Sequence, residues 1–171
     1  MAVSPAALRK RGVPIWKQII VGGLYTGLSP IASGTVASAV AVLVYFITPW
    51  GSDYRVLLGL SFAAFIVGIP LARDVEKAIG ADPSFVTLDE FAGQWLALAS
   101  PIVMFDPFWA FLSFFVFRVF DIAKIWPASY FDRRPGGLGV MADDMVAGFY
   151  ANIVCHCIML GLEFLRSFFG W

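Results

Sequence analysis

Charge is scarce in this chain. Only 14% of its 171 residues are Asp, Glu, Lys or Arg, and 60% are hydrophobic, whereas soluble domains carry roughly a quarter charged residues. That shortage excludes an ordinary solvated surface and points to a membrane protein, one domain by length. The twelve basic and twelve acidic residues cancel, so no basic face could neutralise a phosphate backbone and nucleic acid is excluded as a partner. Cysteine is nearly absent. Cys155 and Cys157 flank the single histidine, His156, and imply no disulfide framework. Residues two apart on a helix point to nearly opposite sides, so this trio is a poor metal clamp and reads as helix packing. Internal repeats, low-complexity tracts and linkers are missing too.

What is present is apolar and segmented. Five runs stand out, at about 35–49, 55–72, 91–105, 107–120 and 145–162, with a shorter one at 15–28. Several fall short of the roughly 20 residues an upright span needs, so some are expected to tilt or borrow flanking residues. The expected fold is all-α: a polytopic membrane bundle of about five spans plus a short N-terminal helix. Arg9, Lys10, Arg11 and Lys17 precede IIVGGLYTGL, an arrangement with the outline of a signal peptide. Paired glycines interrupt that stretch and further spans follow, so a retained cytoplasmic N-terminus is expected, with residues 1–14 as a flexible tail.

Threading the runs alternately from a cytoplasmic N-terminus puts TPWGSDY (48–54) and the Asp106-Pro107 turn outside. RDVEKAIGADPSF (73–85) and residues 123–144 then fall inside. All the Lys and Arg residues except Arg55 and Arg166 lie on or near the cytoplasmic side, the bias expected of inside loops. The same threading brings seven ionisable groups to one face. Asp89 and Glu90 begin the third span, Arg118, Asp121 and Lys124 end the fourth, and Asp143 and Asp144 begin the fifth. At mid-bilayer each would cost about 3 kcal/mol, or about 20 together. A site at headgroup depth is therefore expected.

Asp89, Glu90, Asp121, Asp143 and Asp144 are candidate catalytic and metal-binding acids. Acidic residues also suit helix N-termini, and solvated caps would explain one acid per helix. Adjacent pairs on two helices plus an acid near the end of a third are better explained by a cation, and hard oxygen ligands suit Mg²⁺. Arg118 and Lys124, three residues to either side of Asp121, share a broad helix face with it. A local ion pair with a snorkelling lysine is one reading, a phosphate clamp the other. Arg133, before the Gly136-Gly137 turn, could join an anion-binding nest. Ser29, Ser33 and Thr35 flank a Pro/Gly break on the same face, where Ser33 or Thr35 could equally be a helix N-cap.

Absent motifs narrow the chemistry. A lone histidine excludes the His nucleophile and partner of the common membrane lipid phosphatases. The DxDxT segment of haloacid dehalogenases, the signature of CDP-alcohol phosphatidyltransferases, the P-loop and the dinucleotide fingerprint are all missing.

Four blocks, in order, carry a resemblance: GLSPIASGT (27–35), LDEFAGQW (88–95), FRVFDIAKIWP (117–127) with YFDR (130–133), and GGLGVMADDMVAG (136–148). Together the chain resembles phosphatidylglycerophosphatase A. Two positions depart from the family pattern: Ser33 stands where a proline is usual, and Ile125 replaces the first proline of Lys-Pro-x-Pro. The resemblance implies an Mg²⁺-dependent enzyme of the bacterial inner membrane, with its site facing the cytoplasm. It would remove the terminal phosphate of phosphatidylglycerophosphate to give phosphatidylglycerol. Its polar positions here are Asp89, Glu90, Arg118, Asp121, Lys124, Asp132, Arg133, Asp143 and Asp144, with Ser29 and Thr35 as further substrate-binding candidates. Another metal-dependent lipid phosphomonoesterase is the alternative. A small ion or solute transporter would need charge spread through the depth of the bilayer, and a structural subunit would not need clustered acids.

Overall fold

A computed structural model describes residues 4–80, 84–102 and 105–170. The described residues form helices and connecting turns, with no strand. In order they are α1 (Pro5–Lys10), α2 (Ile15–Val21), α3 (Ser33–Ile47), α4 (Tyr54–Ile79), α5 (Leu88–Leu98), α6 (Pro107–Ala123), α7 (Ala128–Asp132) and α8 (Gly137–Phe169).

Local chemistry sets several of these boundaries. Asp53 caps α4 by accepting the Arg55 N–H at 2.9 Å. Asp106 caps α6 by accepting the Trp109 N–H at 2.9 Å, with Pro107 at the first helical position, where its missing N–H costs nothing. Ser4 and Pro5 do the same for α1. The stretch expected as a flexible tail thus carries a short helix, and Leu8 and Val13 are buried in the core. Residues 1–3 lie outside the described residues. Along α2, Lys17 pairs with Asp74 of α4, while Ile15, Trp16 and Ile20 face outward.

The five apolar runs become α3, α4, α5, α6 and α8. Two of them, α4 with 26 residues and α8 with 33, are long and apolar enough to cross a membrane. Phe62, Ile66, Phe111, Phe115 and Phe164 are exposed on the outer faces of α4, α6 and α8, an apolar surface suited to lipid.

The run at 91–105 differs from its expected form. Its helix, α5, has 11 residues, a length of about 16 Å against a hydrocarbon core of about 30 Å. It stops at Leu98, just before Ser100-Pro101, because a residue preceding proline disfavours helical geometry. Every residue of α5 except Trp95 is buried, enclosed by α3, α4, α6 and α8. This short central helix positions the site.

Candidate active site

Five helices deliver polar ends to one cavity of about 360 Å³. Ser33 and Gly34 come from the start of α3, Glu76 from the end of α4, and Asp89 and Glu90 from the first turn of α5. Asp121 and Lys124 come from the end of α6, and Asp143 and Asp144 from the second turn of α8. Successive long helices alternate in direction, so groups far apart in sequence meet at one end of the bundle.

All five expected acids are buried: Asp89, Glu90, Asp121, Asp143 and Asp144 are each at most 9% exposed. Solvated caps would not be. Asp89 does accept the Glu90 N–H at 2.9 Å, as a first-turn acid can. Glu90 turns outward from its own helix instead. Its Oε2 accepts from Arg118 Nη1 at 2.5 Å and from the Ser38 hydroxyl at 2.9 Å. Arg118 Nη1 also meets Asp121 Oδ2 at 2.9 Å. Gly34 leaves the room this carboxylate needs, since a Cβ there would collide with Glu90 Oε1.

Lys124 ends α6 in the left-handed conformation, with φ 47° and ψ 50°, which turns its side chain back over the acids. Its ammonium pairs with Asp143, meets Asp121 Oδ1 at 3.2 Å, and lies 3.6 Å from Asp132 Oδ1 and 3.8 Å from Asp144 Oδ1. Burial works against this charge, but Asp144, Asp143 and Asp121 outweigh it and hold the Lys124 pKa above its ordinary value.

The donor set fits a hard divalent cation. Carboxylate oxygens of Glu90, Asp121 and Asp144 lie within 4.8 Å of one another, close enough for one ion to join them. Asp143 Oδ1 is buried with no hydrogen-bond partner among the described residues, a costly state that a ligand would relieve. Arg118 and Lys124 pair with four of the five buried acids, Glu90, Asp121, Asp143 and Asp144, so full ionisation of all five leaves three negative charges uncompensated by these two cations, which a divalent ion would reduce.

Sequence reasoning brought the acids, Arg118 and Lys124 together, and they meet. Arg133 lies on the cavity wall. Ser29 and Thr35 lie outside the lining: the Ser29 hydroxyl donates to Ile31 O at 2.8 Å. Neither Ser33 nor Thr35 is the N-cap of α3. That position is Ala32, in a left-handed conformation, and the Ser33 hydroxyl donates to Ser84 O at 3.1 Å. In the turn before α8 the Gly136 N–H donates to Glu76 Oε1 at 3.1 Å. Sequence reasoning missed Ser38 and Glu76. Ser38 carried a signal, a polar residue one turn beyond Gly34 inside an apolar run. Glu76 was hidden in a stretch read as a loop, although α4 continues through it to Ile79. Beside the site, Val119 and Ile122 of α6, then Ile125 and Trp126, present an exposed apolar flank.

Comparison with known proteins agrees with this arrangement. The family model described as Phosphatidylglycerophosphatase A matches residues 19–159. Phosphatidylglycerophosphatase A of Escherichia coli is 35% identical over 139 residues, covering 78% of this chain and 77% of that protein. The Haemophilus influenzae protein of the same name is 31% identical over 143 residues, 82% of this chain and 86% of its own length. A Bacteroides thetaiotaomicron protein provisionally named as a phosphatidylinositol-3-phosphatase is 33% identical over 147 residues, 82% of this chain and 92% of its own length. No solved structure matches the chain. The family model spans all of α3 to α6 and the cavity-lining part of α8, and on that match the chain belongs to the phosphatidylglycerophosphatase A family.

Proposed function

We propose that this protein hydrolyses the terminal phosphomonoester of phosphatidylglycerophosphate, releasing phosphate and phosphatidylglycerol, with Mg²⁺ held by Glu90, Asp121 and Asp144. The observation that carries this reading is the buried meeting of three carboxylates within 4.8 Å, beside two cations, in a cavity at one end of an apolar bundle. When bound, a divalent ion would supply Lewis acidity and a more acidic water.

The chain's own groups have separable tasks. Arg118 lies outside the cavity lining and uses Nη1 for Glu90, Asp121 and Ser38, which holds those two carboxylates in place at the cavity wall. Lys124 and Arg133 add positive charge where the transferring phosphoryl group develops negative charge. Asp143 offers its unpartnered Oδ1 to the proton of the attacking water. Asp89 lines the same cavity and adds to the negative field that attracts the cation.

We read the protein as a multi-pass component of the bacterial inner membrane. In this arrangement α3, α4, α6 and α8 face lipid, and α5 runs from the cavity end towards the far side. The basic residues at the cavity end support a cytoplasmic site. Charge gathered at one end, rather than through the depth of the bundle, favours an enzyme over a transporter.

The test is phosphate release by the purified protein in mixed micelles, with Mg²⁺ or with EDTA. Phosphatidic acid and phosphatidylinositol 3-phosphate serve as competing substrates. Mg²⁺-dependent release selective for phosphatidylglycerophosphate is expected. Equal rates on all three lipids would keep the phosphomonoesterase chemistry and remove the substrate assignment. Undiminished release in EDTA would remove the metal.

A further inference from the structure

The end of α5 remote from the acids is held as closely as the end that bears them. The last carbonyls of any helix lack partners within it. In α5 they find partners on side chains of two other helices. Asn152 of α8 donates through Nδ2 to Ala99 O at 2.7 Å and to Leu96 O at 3.0 Å, with Ala97 O at 3.3 Å. Trp109 of α6 donates through Nε1 to Leu98 O at 3.1 Å. All three partners of Asn152 are carbonyl acceptors, so the orientation of its amide is fixed by chemistry.

His156, one turn further along α8, reinforces the clamp. Its Nδ1 lies 2.8 Å from Asn152 O and its Nε2 lies 2.8 Å from Ser100 Oγ. A carbonyl can only accept, so Nδ1 carries a proton, and Nε2 shares the second hydrogen bond with the Ser100 hydroxyl. The imidazole also packs edge-on against the Trp109 ring, with centroids 4.8 Å apart.

The clamp sits in register with the site. The two helices run in the same direction, and three pairs recur at one constant sequence separation: Asp89 with Asp144, Gly93 with Gly148, and Ala97 with Asn152. The first pair shares the cavity and the third is part of the clamp. The middle pair is a backbone crossing. A Cβ on Gly148 would collide with the Gly93 carbonyl, and one on Gly93 would lie 2.5 Å from Asp144 O. Small residues permit such close approach between membrane helices. The pairs fall every four residues on both helices, about 6 Å apart along each axis, so the clamp lies about 12 Å from the acids.

We infer that Asn152, assisted by Trp109, is a positioning residue that sets the axial register of α5 on α8 and thereby holds Glu90 opposite Asp144. A slip of one residue would move Glu90 by about 1.5 Å and rotate it by about 100°, enough to separate the three carboxylates. The inference rests on the metal reading of the site given above.

The experiment compares the full-length protein with Asn152→Ala, Asn152→Gln and Trp109→Phe in micelles. It measures Mn²⁺ affinity by electron paramagnetic resonance, kcat and KM for phosphatidylglycerophosphate, and the melting temperature. Asn152→Ala is expected to weaken Mn²⁺ binding by about 10- to 100-fold, the range found for groups that orient metal ligands. It should lower kcat with little change in KM. Asn152→Gln, which keeps two amide donors, should recover part of both losses. If Asn152→Ala does not fold, Trp109→Phe asks the same question by deleting one donor while keeping a packed ring. A lower melting temperature with wild-type Mn²⁺ affinity and kcat would make the clamp a stability element and overturn the inference. A wild type that neither binds Mn²⁺ nor releases phosphate would overturn the metal reading itself, and the positioning role with it.

Discussion

Helices α4 and α5 pack side by side and solve opposite problems. With 26 residues, α4 has the length and composition to cross a bilayer, and much of its outer surface, including Phe62 and Ile66, is exposed. With 11 residues, α5 exposes almost nothing and carries two acids in its first turn. Lipid can solvate the outer face of α4, whereas the surroundings of α5 are other helices. The difference shows where sequence tolerance should lie. On α4 an apolar residue of almost any shape satisfies the outward positions. On α5 each position answers to a particular neighbour.

The largest expected effect falls on the acids. Asp144→Asn or Glu90→Gln should cut phosphate release by a factor on the order of a thousand, about 4 kcal/mol of barrier, while the protein still melts cooperatively in detergent. Near-wild-type turnover would remove that residue from the metal set. Next comes a charge on the outer face of α4. Ile66→Arg should cost about 3 kcal/mol if this face meets the bilayer core, read as reduced membrane insertion, and almost nothing if it meets water. Gly148→Ala should destabilise by about 1–3 kcal/mol, because its methyl group would enter the Gly93 backbone. Thermal melting measures the loss. Ser38→Ala, which removes a donor to Glu90, should cost about 1 kcal/mol in stability. Ile66→Leu should change stability by less than about 0.5 kcal/mol. Were it to rival Gly148→Ala, the contrast between the two helices would fail.

The contrast also explains what could be read from the sequence. Charges interrupting apolar runs mark helix ends, and alternating direction brings those ends together. Asp89, Glu90, Arg118, Asp121, Lys124, Asp143 and Asp144 were legible for that reason. The length of α5 was not, because the residues after Leu98 stay apolar although the helix has stopped. Hydropathy reports burial and does not distinguish helix from a turn lying against protein. Ser100-Pro101 was the available signal. The partners of Ser38 and Asn152 were illegible for a further reason: a polar residue inside an apolar run announces that it has a partner, without naming it. Both partners lie more than fifty residues away along the chain.

The exposed apolar flank beside the cavity, formed by Val119, Ile122, Ile125 and Trp126, has a kinetic consequence. An enzyme with such a skirt meets its lipid by diffusion within a sheet, and its encounter rate follows the mole fraction of that lipid among its neighbours. Doubling the aqueous volume around a fixed quantity of membrane should leave the velocity unchanged. Doubling the inert lipid should slow it.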